Sequence, residues 1–492
     1  MAIDDLVSIV HGNSPWPSSK DDADSKFFDA LFGSPSGRYP ANARSAVTLR
    51  APQMSPENNV VYAAYIHPLN PNVGPYAGMS IAIFPAPGRP CLLTFVVGTN
   101  GISPDDAILG RPGHARNVKA LCTWLNQKHG NGKRVAWAKD DPVRIDIGVP
   151  DAVTRQFSEY KPVFEKYGNV LYGIYAPTDD EHATREAVAA FLDLMFEERG
   201  FDPIASQRAA SEQLRSERFQ HMLPDVTRED VCQLLESRRY VIIQGPPGTG
   251  KTRMATELLR DTYGGHGTSI QFHPNTTYEN FIGGLAPAAG DGTLGFRFAP
   301  LQGFLMSAAA SALAAPDRPF LLHIDEVNRA DLAKVLGEAI YLLETDEETA
   351  RIIDLPYDFG PPWGTRLKLP ANLHILGTMN SSDRSLAIVD VAVRRRFAFT
   401  KLWPQGRVVS EFGGELMARA FEDLLAIFVD HANDDAFELV PGHSYFLEKD
   451  DAEAPQRLRT TLVPLLEEYL KQGYVGGFAE QIRAYLQWIE SL

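Results

Sequence analysis

The stretch VIIQGPPGTGKT, residues 241–252, decides the fold of the central part of this 492-residue chain. An apolar strand pattern leads directly into the motif G-x-x-x-x-G-K-T, and a helical pattern, RMATELLRDTY, follows it. This order is typical of a P-loop, in which backbone N–H groups surround the phosphates of a nucleotide. The loop residues expected at the nucleotide are Gly245, Pro246, Pro247, Gly248, Thr249, Gly250, Lys251 and Thr252.

The last two residues of the motif have separate expected roles. The ammonium group of Lys251 should reach the β- and γ-phosphates, and the hydroxyl of Thr252 should hold Mg²⁺. A chance glycine-rich turn is the alternative, but the flanking strand and helix argue against it. The motif therefore predicts a nucleoside-triphosphate site with Mg²⁺ as its cofactor.

Two carboxylates follow the next apolar strand pattern, FLLHI, at residues 320–324. Parallel sheets bind ligands at the carboxyl ends of their strands, so Asp325 and Glu326 are expected near the nucleotide. We expect Asp325 to contact Mg²⁺ through water. We expect Glu326 to act as the base for the attacking water, or to position it. An acidic turn after an ordinary strand is the alternative.

A third strand pattern, LHILGT at residues 373–378, leads to Asn380, and three consecutive arginines follow further on. A polar side chain at such a strand end can orient the attacking water or contact the γ-phosphate. Arg394, Arg395 and Arg396 are expected to supply an arginine finger to a neighbouring subunit, because a guanidinium is permanently charged and matches phosphate oxygens. A solvated basic face is the alternative.

The pattern along the chain predicts three domains. Residues 1–205 have the short strands and amphipathic helices of an α+β domain, and the polar residues 206–222 form a helical linker. In residues 223–405 strands alternate with helices, which predicts an α/β core with a parallel sheet. Residues 406–492 form a helical lid. The clearest N-terminal elements are the strands 60–67, 80–85 and 91–98 and the helices 114–129 and 184–198.

Composition argues against several classes of protein. The net charge of −15 is unsuited to a surface that binds nucleic acid over its whole extent. The sequence has no run of 18 apolar residues and no secretory signal pattern, so we expect neither a membrane span nor export. The three cysteines lack metal-type spacing and are expected to be reduced thiols in a cytoplasmic protein.

Basic residues concentrate between residues 107 and 139, a stretch without an acidic residue. The stretch contains Arg111, Arg116, Lys119, Lys128, Lys133, Arg134 and Lys139, with Trp124 and Trp137 interleaved. It is a candidate DNA-binding patch, in which the basic groups contact phosphates and the indoles stack on bases. A solvated helix and hairpin with core tryptophans is the alternative, and the sequence leaves both open.

Four segments resemble the motor subunit of McrBC-type modified-DNA restriction systems, a branch of the AAA+ NTPases. They are QFHPNTTYENFIGG (271–284), IDEVNRADLAKVLGEAIYLLE (324–344), GTMNSSDRSLAIVDVAVRRRFAF (377–399) and PGHSYF (441–446). The resemblance covers roughly residues 223–450 and implies the AAA+ fold with its helical lid. It also implies a hexameric ring and a separate, McrC-like nuclease subunit that the ring activates.

The resemblance assigns further residues by position. Asn328 and Arg329 match residues at the subunit interface near the nucleotide, and Arg395 and Arg396 match the functional arginines. Asp383 closes an Asn-x-x-Asp segment that accompanies the use of GTP in that family. The family has Asn-Thr-Ala-Asp there and this chain has Asn-Ser-Ser-Asp, which leaves ATP and GTP both open as the substrate.

Two functions from different classes are consistent with these features. The first is a ring-forming NTPase that acts as the motor of a McrBC-like restriction and antiphage defence system. The second is a MoxR-like AAA+ chaperone that remodels a protein partner. Salt-sensitive DNA binding by residues 1–205 would favour the first. A scaffold that binds nucleotide without turnover is a third hypothesis, against which Glu326 argues.

Overall fold

A computed structural model describes residues 3–12, 16–33, 36–54, 60–71, 74–289, 296–344, 351–382 and 390–492. The chain forms two compact units. The first unit comprises Met1–Leu223 with Val429–Asn433, and the second comprises Pro224–Phe428 with Asp434–Leu492. Within the described ranges, no helix combines the length and the apolar character that crossing a membrane requires.

The first unit is an α+β structure with a six-stranded antiparallel sheet. Its strands are β1 (Thr48–Met54), β2 (Val61–Ile66), β3 (Ala77–Ala86), β4 (Arg89–Thr99), β5 (Ala136–Ala138) and β6 (Leu171–Tyr175). Its helices are α1 (Asp4–His11), α2 (Lys20–Ala23), α3 (Asp106–Leu109), α4 (Pro112–His129), α5 (Asp151–Gln156), α6 (Lys161–Tyr167), α7 (Glu181–Glu197) and α8 (Ala205–Met222). The strand order is β1-β2-β3-β4-β6-β5. The three predicted strands and two predicted helices are confirmed as β2, β3, β4, α4 and α7.

Side chains of β4 explain why both faces of this sheet are covered. Leu93 and Phe95 belong to the core on the face of α4 and α7, whereas Leu92 and Val96 belong to the core formed with α5 and α6. Successive strand residues point to opposite faces, so a continuous apolar run predicts burial on both sides. Phe95 stacks on Phe191 of α7 with ring centroids 4.7 Å apart.

The predicted linker 206–222 is helical, as expected, but it packs within the first unit as α8. The hydroxyl of Ser211 donates a hydrogen bond of 2.7 Å to Asp193, which is buried and also accepts two bonds from Arg38 and one from Tyr39. Buried polar groups need such partners. The polar pattern that predicts a helical linker therefore reflects, in part, a buried network.

The second unit contains the helices α9 (Arg228–Arg238), α10 (Lys251–Glu257), α11 (Tyr278–Phe281), α12 (Phe304–Ala314), α13 (Leu332–Leu336), α14 (Val391–Arg396), α15 (Gly406–Phe412), α17 (Asp434–Phe437), α18 (Ala454–Lys471) and α19 (Ala479–Ser491). Helix α16 (Glu415–His431) begins in this unit. Its strands are β7 (Tyr240–Gly245), β8 (Gly267–Gln271), β9 (Gly283–Ala289), β10 (Phe296–Gln302), β11 (Phe320–Asp325), β12 (Ile353–Asp354), β13 (Arg366–Leu367), β14 (Leu373–Asn380) and β15 (Ala398–Lys401).

A five-stranded parallel sheet in the order β15-β7-β14-β11-β8 forms the centre of the second unit. On β7, Tyr240 and Ile242 face the core that includes α12 and α13, and Val241 and Ile243 face the core that includes α9 and α10. The α/β fold class predicted for this region is confirmed. The second unit is not divided at residue 405, so the separate helical lid remains a prediction.

Candidate nucleotide site

The ends of three neighbouring strands meet at one cavity of the second unit. The register pairs Asn380 with Gly245 and Gly377 with Ile324, so β7, β14 and β11 end at the same edge of the sheet. A cavity of about 330 Å³ lies at this edge. It is lined by Pro247, Gly248, Gly250, Lys251, Thr252, Arg253, Asp325, Glu326, Thr378, Met379, Asn380 and Ser444.

The backbone carbonyls of the glycine-rich loop accept hydrogen bonds from the loop's own Lys251. Gly248 and Gly250 have φ angles of 79° and 81°, a left-handed conformation that glycine adopts without strain. Lys251 is buried, and its Nζ donates hydrogen bonds to the carbonyl oxygens of Gly245 at 3.0 Å and Pro246 at 2.7 Å. Burial lowers the pKa of Lys251 to about 8, although the charge of Asp325 opposes this shift. The loop thus holds the ammonium group of Lys251 through neutral carbonyl oxygens, which an anionic ligand can replace.

Oxygen atoms of three residues gather between the loop and β11. The hydroxyl of Thr252 donates a hydrogen bond of 3.0 Å to Asp325 Oδ1, and the hydroxyl of Thr378 donates to the same oxygen. Mg²⁺ prefers such hard oxygen ligands and usually takes few of them from the protein, with water and phosphate supplying the rest. The paired hydroxyl and carboxylate therefore fit a magnesium site completed by a nucleotide.

Glu326 turns the chain sharply at the end of β11. Its φ of 53° is left-handed, which is uncommon for a residue with a side chain. Its backbone N–H donates a hydrogen bond of 3.3 Å to the hydroxyl of Thr378, and Glu326 is among the residues that line the cavity. The guanidinium of Arg329, three residues later, pairs with the carboxylate of Glu326. The residue predicted to handle the attacking water thus lines the predicted phosphate site, with its carboxylate paired to Arg329.

A hydrogen bond between Asn328 and Asn380 holds the end of strand β14. Asn328 is buried and donates a hydrogen bond of 3.2 Å from its amide to the carbonyl of Asn380. Ser381, the next residue, donates its backbone N–H to the carbonyl of Gly245 at 3.0 Å. The strand end is therefore tied to both neighbours, and the side chain of Asn380 lines the cavity between them.

The segment PGHSYF contacts the P-loop directly through its backbone. The N–H of Gly442 donates a 2.9 Å hydrogen bond to the carbonyl of Pro247, and the N–H of Ser444 donates one of 3.0 Å to the carbonyl of Gly248. Between them, His443 accepts a 3.2 Å hydrogen bond at Nδ1 from the N–H of Gln405. Burial lowers the pKa of His443 to about 4, so this acceptor is neutral near pH 7. Sequence reasoning matched this segment to a family but assigned it no role at the site.

Replacing Gly442 with alanine is expected to disturb the P-loop. The added Cβ would lie 2.0 Å from the backbone carbon of Gly248, and a backbone atom can move away only if the loop itself shifts. We expect a loss of about 1–3 kcal/mol in the free energy of unfolding, as for other overpacked sites, together with weaker nucleotide binding. Thermal unfolding and nucleotide titration measure the two effects.

Gly477→Ala is the matched control for this prediction, because a Cβ there meets no atom of the described residues within 4 Å. It should leave nucleotide affinity unchanged. Equal nucleotide affinities for the Gly442 and Gly477 variants would show that contact with this segment is not needed for binding.

None of the predicted arginines is among the described residues that line the cavity of their own chain. Arg395 and Arg396, on α14, pair with Glu344 at 3.5 and 3.4 Å. Arg329 pairs with Glu326 and is not among the described residues that line the cavity. Asp383 lies outside the described residues. The positions of Arg329, Arg395 and Arg396 at a subunit interface remain predictions.

The structure corrects the aromatic part of the predicted DNA patch at 107–139. Trp124 is buried and donates its indole N–H to Glu217 at 3.1 Å, and Trp137 packs against the core beneath the sheet. The indole of Trp124 is therefore not free to stack on a base, and that of Trp137 is only partly exposed. Lys128 pairs with Glu186 and Glu217, both from outside the stretch, at 2.9 and 2.8 Å. Glu186 of α7 and Glu217 of α8 thus neutralise the positive charge of Lys128, although the stretch 107–139 itself contains no acidic residue.

Two other lysines of this stretch also have partners within the first unit. Lys119 pairs with Asp140 at 2.7 Å. Lys139 is buried, donates a hydrogen bond of 2.7 Å to the carbonyl of Asn169, and has its pKa lowered by that burial. The helix and the core position of Trp124 agree with the alternative hypothesis, whereas its hairpin does not form, because β5 pairs with β6.

Comparison with known proteins agrees with this geometry. The AAA domain of the dynein-related subfamily matches residues 240–397. The chain is 33% identical over 270 residues to the type IV methyl-directed restriction enzyme EcoKMcrB subunit of Escherichia coli (strain K12), covering 50% of this chain and 57% of that protein. It is 30% identical over 197 residues to the type II restriction enzyme BsuMI component YdiS of Bacillus subtilis (strain 168), covering 33% and 57%. The match thus spans little more than half the length of each relative.

Proposed function

Because this chain is an McrB-like AAA+ protein, we propose that it is a ring-forming nucleoside-triphosphatase and the motor subunit of a McrBC-like restriction and antiphage defence system. The meeting of Lys251, Asp325 and Asn380 at one cavity is the observation that supports the proposal most. The substrate is ATP or GTP. The proposed setting is the cytoplasm, with DNA and a separate McrC-like nuclease subunit as partners.

Nucleotide binding begins with an exchange of partners at Lys251. In the free protein its ammonium group is held by the carbonyls of Gly245 and Pro246. Phosphate oxygens carry full negative charge and therefore form stronger, charge-assisted hydrogen bonds with an ammonium than neutral carbonyls do. Lys251 accordingly turns to the β- and γ-phosphates. Backbone N–H groups of the loop bind the remaining phosphate oxygens.

Thr252 and Asp325 would hold Mg²⁺, which neutralises charge on the phosphate oxygens when bound. In hydrolysis, a water oxygen forms a bond to the γ-phosphorus while the bond from that phosphorus to the bridging oxygen breaks. Glu326 accepts the proton from this water, and the amide of Asn380 orients the water or the γ-phosphate. The nucleoside diphosphate and inorganic phosphate then leave.

An arginine from a neighbouring protomer completes the proposed site. Neither Arg395 nor Arg396 is among the described residues that line the cavity of their own chain. In a ring, α14 of one protomer would instead face the nucleotide of the next. Hydrolysis should therefore depend on assembly and rise more steeply than in proportion to protein concentration.

The affinity for nucleotide is expected to fall above pH 8. Lys251 has a pKa of about 8 in the free protein, and bound triphosphate raises it, because the phosphates stabilise the charged ammonium. Binding therefore takes up a proton once the pH exceeds the pKa of the free protein. We expect Kd to change little well below the pKa of the free protein and affinity to fall by up to about tenfold per pH unit above it, until the pKa of the complex is reached.

Titration of a fluorescent nucleotide at constant ionic strength, from about pH 7.5 to 9.5, measures this effect. The range lies above the pH at which the terminal phosphate itself gains a proton. A flat Kd across the range would contradict a link between the buried lysine and the phosphates.

The proposed function is tested by comparing the hydrolysis of ATP and GTP by wild type and Lys251→Ala over a series of protein concentrations. Loss of a preorganised cation that stabilises the transferred phosphate should lower kcat by about 10²–10³-fold. Equal turnover by the two proteins would place the chemistry elsewhere. Binding of the full chain to duplex DNA at low and high salt separates a DNA motor from a MoxR-like chaperone, for which we expect no binding at low salt.

A further inference from the structure

Three guanidinium groups of the second unit converge on one carboxylate oxygen. Oε1 of Glu344 lies 3.3 Å from Nη1 of Arg351, 3.5 Å from Nη2 of Arg395 and 3.4 Å from Nη2 of Arg396. One negative charge therefore faces three positive ones. The carboxylate reduces the repulsion between the guanidiniums but leaves a surplus of positive charge at this place.

The three arginines differ in how firmly they are held. The side chain of Arg396 is 9% exposed, donates a 2.8 Å hydrogen bond to the carbonyl of Ala392, and has a buried Nε without a partner among the described residues. Arg351 lies over the ring of Tyr341, 4.4 Å from its centroid. Arg395 is 70% exposed. Arg396 and Arg351 thus form the anchored part of the cluster, and Arg395 is the member that extends towards solvent.

We propose that Glu344 is a positioning residue that, together with the anchored Arg396, aligns the exposed Arg395 for contact with the nucleotide of an adjacent protomer. The proposal rests on the ring-forming NTPase function proposed above. A free arginine side chain samples many rotamers, and ordering it opposes the interaction that it makes. Glu344 orders the side chain of Arg395 before it meets phosphate. Because the cluster keeps a surplus of positive charge, it still attracts the phosphate.

Glu344→Gln removes the charge and keeps the size of the side chain. We expect kcat to fall by about 10²-fold, as for a misplaced catalytic group, while KM stays unchanged because the nucleotide cavity of each chain is intact. Glu344→Asp should recover part of the loss. Glu338→Gln is the matched control on the same segment, since Glu338 accepts a hydrogen bond from Tyr278 that glutamine also accepts. A kcat for Glu344→Gln equal to or above wild type would overturn the proposal.

A mixing experiment tests whether Glu344 acts across an interface. Glu344→Gln chains keep an intact cavity, and Lys251→Ala chains keep the intact arginine cluster. In a one-to-one mixture about a quarter of ring interfaces combine the intact cavity with the intact cluster. The mixture should hydrolyse nucleotide faster than the sum of the two variants measured separately. A rate equal to that sum would overturn the proposal.

Two further measurements separate the possible failures. Without hydrolysis by wild type, the proposed function itself fails. If Glu344→Gln is poorly folded, a double-mutant comparison with Glu344→Asp replaces it. When Glu344 acts through Arg395, adding Glu344→Asp to Arg395→Ala should change kcat by less than about twofold. If the fold-loss of kcat in the double variant equalled the product of the fold-losses in the two single variants, Glu344 would act independently of Arg395, contrary to the proposal.

Discussion

Arg395→Ala is expected to lower the turnover number by about 10³-fold or more, the usual contribution of an arginine finger. Its side chain is 70% exposed, whereas that of Arg396 is 9% exposed. An exposed guanidinium outside the cavity of its own chain is free to approach a neighbour's γ-phosphate. The affinity for nucleotide should change far less, because the arginine binds the transition state more strongly than the ground state.

Steady-state hydrolysis and equilibrium nucleotide binding, measured on the same preparations, check this prediction. Arg394→Ala is the control, since it removes a neighbouring positive charge from the same helix. Arg394 lies over the ring of Phe399, 5.3 Å from its centroid, and we expect a much smaller effect on turnover. If Arg395→Ala retained wild-type turnover, the exposed arginine would not be the finger.

Glu326→Gln is expected to lower the turnover number by about 10³-fold while the protein still binds nucleotide. Glutamine has the size of glutamate and the same unbranched side chain, so the left-handed backbone at this position, with φ of 53°, is affected little. Its amide is too weak a base to accept the proton of the attacking water. The variant should therefore accumulate as a complex with uncleaved triphosphate.

To detect this complex, unbound nucleotide is removed rapidly and the nucleotide that stays bound to the protein is identified as triphosphate or diphosphate. Glu480→Gln, which alters an exposed pair with Arg483 on α19, should hydrolyse nucleotide like wild type. Rapid turnover by Glu326→Gln would assign the base to another group. A failure to bind nucleotide would instead indicate that Glu326 acts in binding.

Local patterns were sufficient to predict an α/β core with a parallel sheet, and the resemblance of longer segments to a family implied the AAA+ fold. The strand leading to Gly245 and the strand preceding Asp325 are short apolar runs, and the helices between them have their own periodicity. Parallel strands end at one edge, so the convergence of Lys251, Asp325 and Asn380 followed from the order of elements alone. The structure places these side chains at one cavity, while their individual roles remain predictions.

Contacts between distant parts of the chain could not be predicted in the same way. The bonds from Gly442 and Ser444 to the P-loop join backbone atoms, so the sequence shows no complementary side chains. Trp124 resembled a stacking residue because its partner, Glu217, lies on another helix. Glu344 was one acid in a longer family segment, and its significance depends on arginines that follow about 50 residues later.

The two backbone hydrogen bonds between PGHSYF and the P-loop have a mechanical consequence. One bond joins Gly442 to Pro247, and the other joins Ser444 to Gly248. Because both bonds join backbone atoms, no flexible side chain lies between this segment and the P-loop. A displacement of residues 441–446 would therefore move the carbonyl groups of Pro247 and Gly248, and a rearrangement of the loop on nucleotide binding would displace this segment in turn.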